Sequence, residues 1–216
     1  WVKPYQGKGE GNWRGIPRDK NKLLSLTELS FNSYQHEPTT IPSEIGNLVN
    51  LNSLDIRCNG CTDLPSSIGN LYNLTSLSID CCRLERLPQE VCLLIKLEFL
   101  GVWSGNLREL PKDIGNLSNL RVLHLEGNLK LKKWPRSIVK LTALTQFYAA
   151  DGYPILPFYQ VSWLKQLMKS GFDVQFGPEL IKRSRLRPFV WMCYLVFSPL
   201  FLLDFILANR KKSQKV

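Results

Sequence analysis

The side chains of this 216-residue chain best suited to metal or nucleophile chemistry are two histidines and six cysteines: Cys58, Cys61, Cys81, Cys82, Cys92 and Cys193. A histidine-based catalytic or zinc site would need His36 or His124, and neither has a second ligand near it in the sequence. Cys58-Asn-Gly-Cys61 has metal-like C-x-x-C spacing, and Cys81-Cys82 follows in a comparable place further on, so four thiols could meet. Two readings compete with zinc: buried structural thiols, which the register described below favours, and a Cys58–Cys81 disulfide. No GxxxxGK[ST] phosphate loop and no GxSxG elbow occurs, and "GKGEG" at 7–11 lacks the strand and helix that would make it one. The expectation is a chain that is not an enzyme, with no catalytic residue, no metal, no cofactor and no small-molecule substrate.

Asp204 is the other residue whose placement asks for a chemical reason. It stands inside Phe189–Ala208, twenty residues that are otherwise apolar on every side, about the length a helix needs to cross a bilayer. Trp191 and Tyr194 lie near one end and cationic clusters flank both. A single transmembrane α-helix is therefore expected at 189–208, with Pro199 removing one of its hydrogen bonds and able to kink it. Asp204 would lie about 6 Å of helix rise inside one end, where a charge is costly. It is expected to face a base or hydrogen-bond donor of another transmembrane subunit; the competing reading leaves it near the headgroups of a thinned bilayer.

The formal charge of +10 is concentrated around that segment. From Lys182 onward there are eight bases (Lys182, Arg183, Arg185, Arg187, Arg210, Lys211, Lys212, Lys215) against Asp204. This distribution favours membrane lipid over nucleic acid as the acidic partner. The bases tie across the span, so charge does not orient it.

Upstream, one phrase keeps returning: "IPSEIGNLVNL", "LPSSIGNLYNL", "LPQEVCLLIKL", "LPKDIGNLSNL" and "WPRSIVKLTAL", ending at Leu51, Leu74, Leu97, Leu120 and Leu144. The separations are 23, 23, 23 and 24 residues. Each is followed by a copy of one short pattern ("LNSLDIRCN", "LTSLSIDCC", "LEFLGVWSG", "LRVLHLEGN", "LTQFYAADG"), and a degenerate copy starts at Leu26. In LxxLxL the last two leucines are two apart and project to one side of a short strand, while the residues between project to the other. Successive strands can then pair in parallel about 4.8 Å apart and stack their leucines. One unit cannot bury its apolar side alone, so several must stack. Pro opens the return path, and an inward Asn would satisfy backbone groups at the bend.

These motifs resemble the leucine-rich repeat family, in the LPxxIGNLxNL variant of the intracellular Ras-group-related repeats. The resemblance covers roughly 23–157. It implies an α/β solenoid of about 5–6 repeats with a parallel sheet on its concave side. Departures are Cys82, Gly105 and Gly152 where Asn is usual, Cys61 for a leucine, and an extra residue in "NLKLKKWP".

The expected organisation is an N-terminal arm or cover (1–22), the repeats (23–157), a C-terminal cap (158–181), a basic linker (182–188), the span (189–208) and a basic tail (209–216). In the cap, Val161, Leu164, Leu167 and Met168 are spaced for one helical face, Gly171 suits a stop, and "FDVQF" alternates like a strand. The partner-binding surface is expected on the concave face, carried by Asp55, Arg57, Asp80, Phe99, Trp103, His124, Glu126 and Tyr148, with Phe99 and Trp103 beside Gly101. The bland alternative covers these aromatics with the chain's own arm or cap. "NLT" at Asn73 and "NLS" at Asn116 match a glycosylation acceptor but belong to the repeated phrase.

The expected function is a membrane-anchored interaction scaffold or adaptor with a protein on its concave face. One alternative is an accessory subunit of a large respiratory or photosynthetic membrane complex; another is a cell-surface recognition receptor. No secretory signal is visible at the start, and the repeats lack cysteine-rich caps. A single-pass protein of an intracellular or organellar membrane is expected, its repeats facing cytosol, stroma or matrix.

Overall fold

Each return of the phrase builds the same unit. Pro42, Pro65, Pro88 and Pro135 are extended and stand just before the 3-10 turns Ser43–Asn47, Ser66–Asn70, Gln89–Leu93 and Arg136–Lys140; a shorter turn spans Ile114–Asn116. The carbonyls of those four prolines and of Pro111 accept the amides of Ile45, Ile68, Val91, Ile138 and Ile114 at 3.1–3.2 Å. Proline loses nothing by lacking an N–H there. The same Ile or Val, and the leucine three residues on, point into the core. The return path is thus the expected one, with proline just outside the turn rather than in its first position.

The computed structural model describes residues 19–33, 40–81, 83–103, 106–148, 157–169 and 173–175. All lie in the first of two units, 1–177; the second is 178–216. The elements in chain order are α1 (Lys20–Leu24), β1 (Glu28–Ser33), β2 (Ser53–Cys58), β3 (Ser76–Asp80), β4 (Phe99–Trp103), β5 (Val122–His124), β6 (Gln146–Tyr148), α2 (Phe158–Lys169) and β7 (Asp173–Gln175). The strands form one sheet in sequential order, every neighbouring pair parallel. Register is fixed by the leucines: Leu29, Leu54, Leu77, Leu100, Leu123 and Phe147 align across six strands and all are buried. A one-residue slip in any strand would turn its core residues to the opposite face, which makes this register exclusive.

The asparagine in the phrase acquires a role that its recurrence alone did not reveal. The Nδ2 of Asn50, Asn73 and Asn119 donates to the carbonyls of Leu24, Val49 and Ile95, each one repeat back, at 2.8–3.0 Å. Where the third copy has Lys96, its Nζ donates instead to Oδ1 of Asn73, at 2.8 Å. These bonds satisfy carbonyls at the bends that sheet pairing does not reach.

Glycine in the phrase is required by stacking. A Cβ on Gly46 would collide with the carbonyl oxygen of Ser67, and one on Gly115 with that of Ser137. Cys92 occupies the corresponding place in the third copy, and the turn after it is the short one, entered at Asp113 rather than directly after proline. Gly115→Ala is expected to lower the unfolding free energy by about 1–3 kcal/mol, read as a lower urea midpoint. Ala at the exposed neighbour Asn116 is the control.

A helix packs at each end of the repeats. At the first, α1 is capped by Asp19, whose carboxylate accepts from the Lys22 amide, and it buries Leu23. Lys20–Leu24, whose first residues fall in the expected N-terminal arm or cover (1–22), form this short helix. At the other end α2 buries Gln160, Trp163, Leu164 and Leu167. Gln160 Nε2 donates to the Trp134 and Pro135 carbonyls, and Trp163 Nε1 to that of Leu141. The helix and the strand after it lie where the sequence put them. Of the expected stripe, Leu164 and Leu167 are buried, and Gln160 and Trp163 join them, because the end of a repeat stack exposes carbonyls that need donors; the side chains of Val161 and Met168 lie outside the described ones.

Residues 1–18, His36, Cys82, Gly105, Ala150 and Gly152 lie outside the described residues, as do Cys193, Asp204, the linker 182–188, the expected span 189–208 and the tail 209–216. Among the described residues no helix is long and apolar enough to cross a membrane.

Candidate binding face

The residues between the strand leucines emerge on the face of the sheet opposite the core, as alternation requires. Along β2 the side chains of Ser53 and Asp55 are partly exposed and that of Arg57 exposed, between buried Leu54, Ile56 and Cys58. The face divides in two. Its first half is polar and internally satisfied: Ser78 Oγ donates to Asp55 at 2.9 Å, Ser30 Oγ does so at 3.4 Å, and Arg57 Nε lies 3.1 Å from the same carboxylate. Asp80 stands in register with both Arg57 and Trp103.

The second half is aromatic. Phe99, Trp103, His124 and Tyr148 form a connected group, with ring centroids 5.9 Å apart for Phe99–Trp103, 6.0 Å for Phe99–His124 and 5.6 Å for Trp103–His124. His124 stacks on Tyr148 at 3.8 Å and 24°. Gly101 explains how the indole joins the row. Gly101, His124 and Tyr148 align across β4, β5 and β6, and the six-membered ring of Trp103 folds back over Gly101, where any Cβ would strike it. The glycine slot is thereby filled by a neighbour's ring, giving three aromatics side by side: Trp103, His124, Tyr148. All three are partly exposed. The structure therefore brings together four of the predicted residues as one patch, with Glu126 and Asp80 at its margins and Asp55 and Arg57 in the separate polar half.

Burial among these rings holds the His124 imidazole below its ordinary 6.5, with the Glu126 carboxylate, 3.9 Å away, opposing in part. His124 is thus neutral at pH 7. A lowered folded value means that the unfolded chain takes up the proton first. The stability this histidine contributes is complete above about pH 6.5 and is lost as pH falls through its folded value. The thermal midpoint is expected to drop between pH 7 and pH 5, and His124→Phe to flatten that part of the profile.

The cysteines resolve differently from each arrangement weighed from spacing. Cys58 pairs with Cys61, not with Cys81, in a disulfide whose Cα atoms are 5.6 Å apart. The chain turns at Asn59-Gly60 directly after β2, which returns Cys61 to Cys58; Cys81 belongs to the next repeat and takes no part in the bond. Cys61 is fully buried at its inward position, as the register implied, and Cys81 is buried too. The Cys92 thiol is pushed up to about 11, first by burial and then by the Asp113 and Glu90 carboxylates, so it stays protonated and unreactive. Among the described residues no group of three or more His, Cys, Asp or Glu could hold a metal ion.

Sequence reasoning missed two features. One is Asn128, fully buried, whose Nδ2 donates to the carbonyls of Val102, Leu125 and Glu126 and whose Oδ1 accepts the Leu107 amide. It occupies the expected inward Asn position, but spacing could not show how many groups depend on it. The other is a set of exposed apolar side chains, Tyr72, Leu93 and Ile95, on the turns rather than the sheet face. Of the two acceptor asparagines, Asn116 is exposed, while the Asn73 amide is engaged by Val49 and Lys96.

No protein-family model and no curated protein matches the chain significantly. Solved structures do. A Leptospira interrogans leucine-rich repeat protein is 21% identical, covering 74% of this chain and 50% of that one, with a TM-score of 0.51. A Listeria monocytogenes internalin is 27% identical, covering 72% and 49%, with a TM-score of 0.54. The Arabidopsis receptor kinase HAESA is 25% identical, covering 68% and 25%, with a TM-score of 0.51. The chain spans about half the length of the first two, at 50% and 49%. With the register above, these likenesses establish the leucine-rich repeat fold.

Proposed function

We propose that this chain is a non-enzymatic interaction adaptor, held to a membrane by residues 189–208, whose concave sheet face docks a protein. The observation that carries the reading is the aromatic row Trp103–His124–Tyr148: large rings, partly exposed, on a rigid parallel sheet, with no described element of the chain lying over them. Aromatic side chains on a preorganised surface give contact area at little entropic cost and dominate protein interfaces. HAESA, similar in fold, is complexed with a peptide hormone and a co-receptor. The anchor rests on the sequence of the apolar stretch and its flanking bases.

The test is a photoreactive phenylalanine analogue placed at Tyr148 of the full chain, and separately at Tyr72 on the turns. Cross-linking of one discrete protein from Tyr148 and not from Tyr72 supports the reading; the opposite pattern removes it. Extraction by alkaline carbonate tests the anchor: the chain should stay with the membrane, and release into the wash would refute the span.

The Cys58–Cys61 disulfide favours a second reading, recognition at a cell surface, because disulfides persist in oxidising compartments. That reading predicts blocked thiols at Cys58 and Cys61 in freshly lysed cells and a glycan on exposed Asn116. Free thiols at both positions and an unmodified Asn116 would return the repeats to a reducing compartment.

A further inference from the structure

The composition of the concave face narrows what it can bind, given that it is the docking face. In a chain of formal charge +10, the outward positions of β1–β5 and the loop after them carry Glu28, Asp55, Asp80 and Glu126 against Arg57. The face is thus opposite in sign to the rest of the protein. The carboxylates are not equivalent. Asp55 is occupied by Arg57, Ser30 and Ser78. Asp80 and Glu126 pair with no described Lys or Arg, and both lie two residues beyond the aromatic row, along one edge of it: Asp80 in register beside Trp103, Glu126 with its carboxylate 3.9 Å from His124 Nδ1.

Aromatic faces attract cations through their quadrupole, Trp most strongly, when the charge sits within about 6 Å of the ring. The indole of Trp103 lies back over the sheet at Gly101 instead of standing off it, so a ring face is available to a ligand lying in the concavity. Carboxylates at the edge of such a floor supply charge-assisted hydrogen bonds to the same cation. We infer that the Trp103–His124–Tyr148 row, edged by Asp80 and Glu126, receives an arginine or lysine side chain from an extended, basic peptide segment of the partner. Arginine is favoured over lysine, because a planar guanidinium can stack on the indole while its edge meets a carboxylate. An acidic or purely apolar segment would leave Asp80 and Glu126 facing like charge or desolvated without a partner.

Random peptides displayed on phage are selected against the full chain in detergent, and the affinities of those recovered are measured by fluorescence anisotropy. The inference predicts enrichment in Arg or Lys. Replacing that base by glutamine should weaken binding about tenfold or more, as should Trp103→Ala, and Asp80→Asn with Glu126→Gln should do so without disturbing the rings. Affinity should also fall when ionic strength is raised about tenfold. Selected peptides that depend on Trp103 and Tyr148 but tolerate loss of every base would overturn the cationic ligand and leave the docking face standing. Peptides indifferent to Trp103→Ala and Tyr148→Ala, but lost with Tyr72→Ser and Ile95→Ser, would overturn the docking face itself.

Discussion

Asn128→Leu is expected to lower the unfolding free energy by about 3–5 kcal/mol, among the largest effects of any single substitution outside the leucine core. Leucine keeps the branched skeleton of asparagine but is larger, so some overpacking would add to the main loss, which comes from the groups left behind: the Leu107 amide and the carbonyls of Val102 and Leu125, buried at a bend between repeats. Asn128→Asp separates packing from hydrogen bonding. It keeps the shape and an acceptor for the Leu107 amide, but turns a second oxygen toward the carbonyls that the Nδ2 now serves. Aspartate is therefore expected to be no better than leucine at neutral pH and to recover in part as it protonates in acid. Urea denaturation followed by circular dichroism measures both. A loss below about 1 kcal/mol for Asn128→Leu would mean that water or a shifted bend takes over the bonds.

Trp103→Ala is expected to weaken partner binding about 30-fold, or about 2 kcal/mol, while changing stability little, since the side chain is partly exposed on the sheet face. Gly101 provides an independent route to the same result. Gly101→Val leaves Trp103 in the sequence but puts a Cβ where the indole lies, forcing the ring out of the row between β4 and β5. Loss of affinity in Gly101→Val comparable to that in Trp103→Ala would show that the position of the ring matters, and not merely its presence. The two substitutions share one contact, so their effects should not add.

The parts of this molecule that depend on one repeat alone were legible from the sequence. The leucines of LxxLxL fixed strand register because spacing by two decides which face a side chain takes, and the identity of the outward residues followed. The prolines marked the turns because a residue lacking N–H fits just before a 3-10 turn. Features that depend on the neighbouring repeat were not legible. Asn50, Asn73 and Asn119 recur in plain sight, but their acceptors lie one repeat back. Gly46 and Gly115 look like turn residues and are in fact required by the carbonyl of the next turn. The fold-back of Trp103 onto Gly101 is a contact between residues two apart that alternation places on one face, yet spacing cannot say which way the ring falls. The Cys58–Cys61 pairing was hidden by the attraction of a column shared with Cys81, although a bend at Asn-Gly between two cysteines was the available signal.

Among the described residues, several of the chemistry-bearing side chains have structural roles. His124 is neutral and spent on stacking, Cys92 is held protonated, and Cys61 and Cys81 are core. The aromatic row is partly exposed and organised. The apolar turn residues Tyr72, Leu93 and Ile95 are its competitor, since they too offer exposed area on successive repeats.

The most direct test is therefore comparative. The protein cross-linked from Tyr148 is titrated against the full chain, against Trp103→Ala with Tyr148→Ala, and against Tyr72→Ser with Ile95→Ser. The concave-face account predicts a loss of about 30-fold or more for the first pair and a change within about twofold for the second. Retention of affinity by the concave pair, with loss in the turn pair, would contradict it.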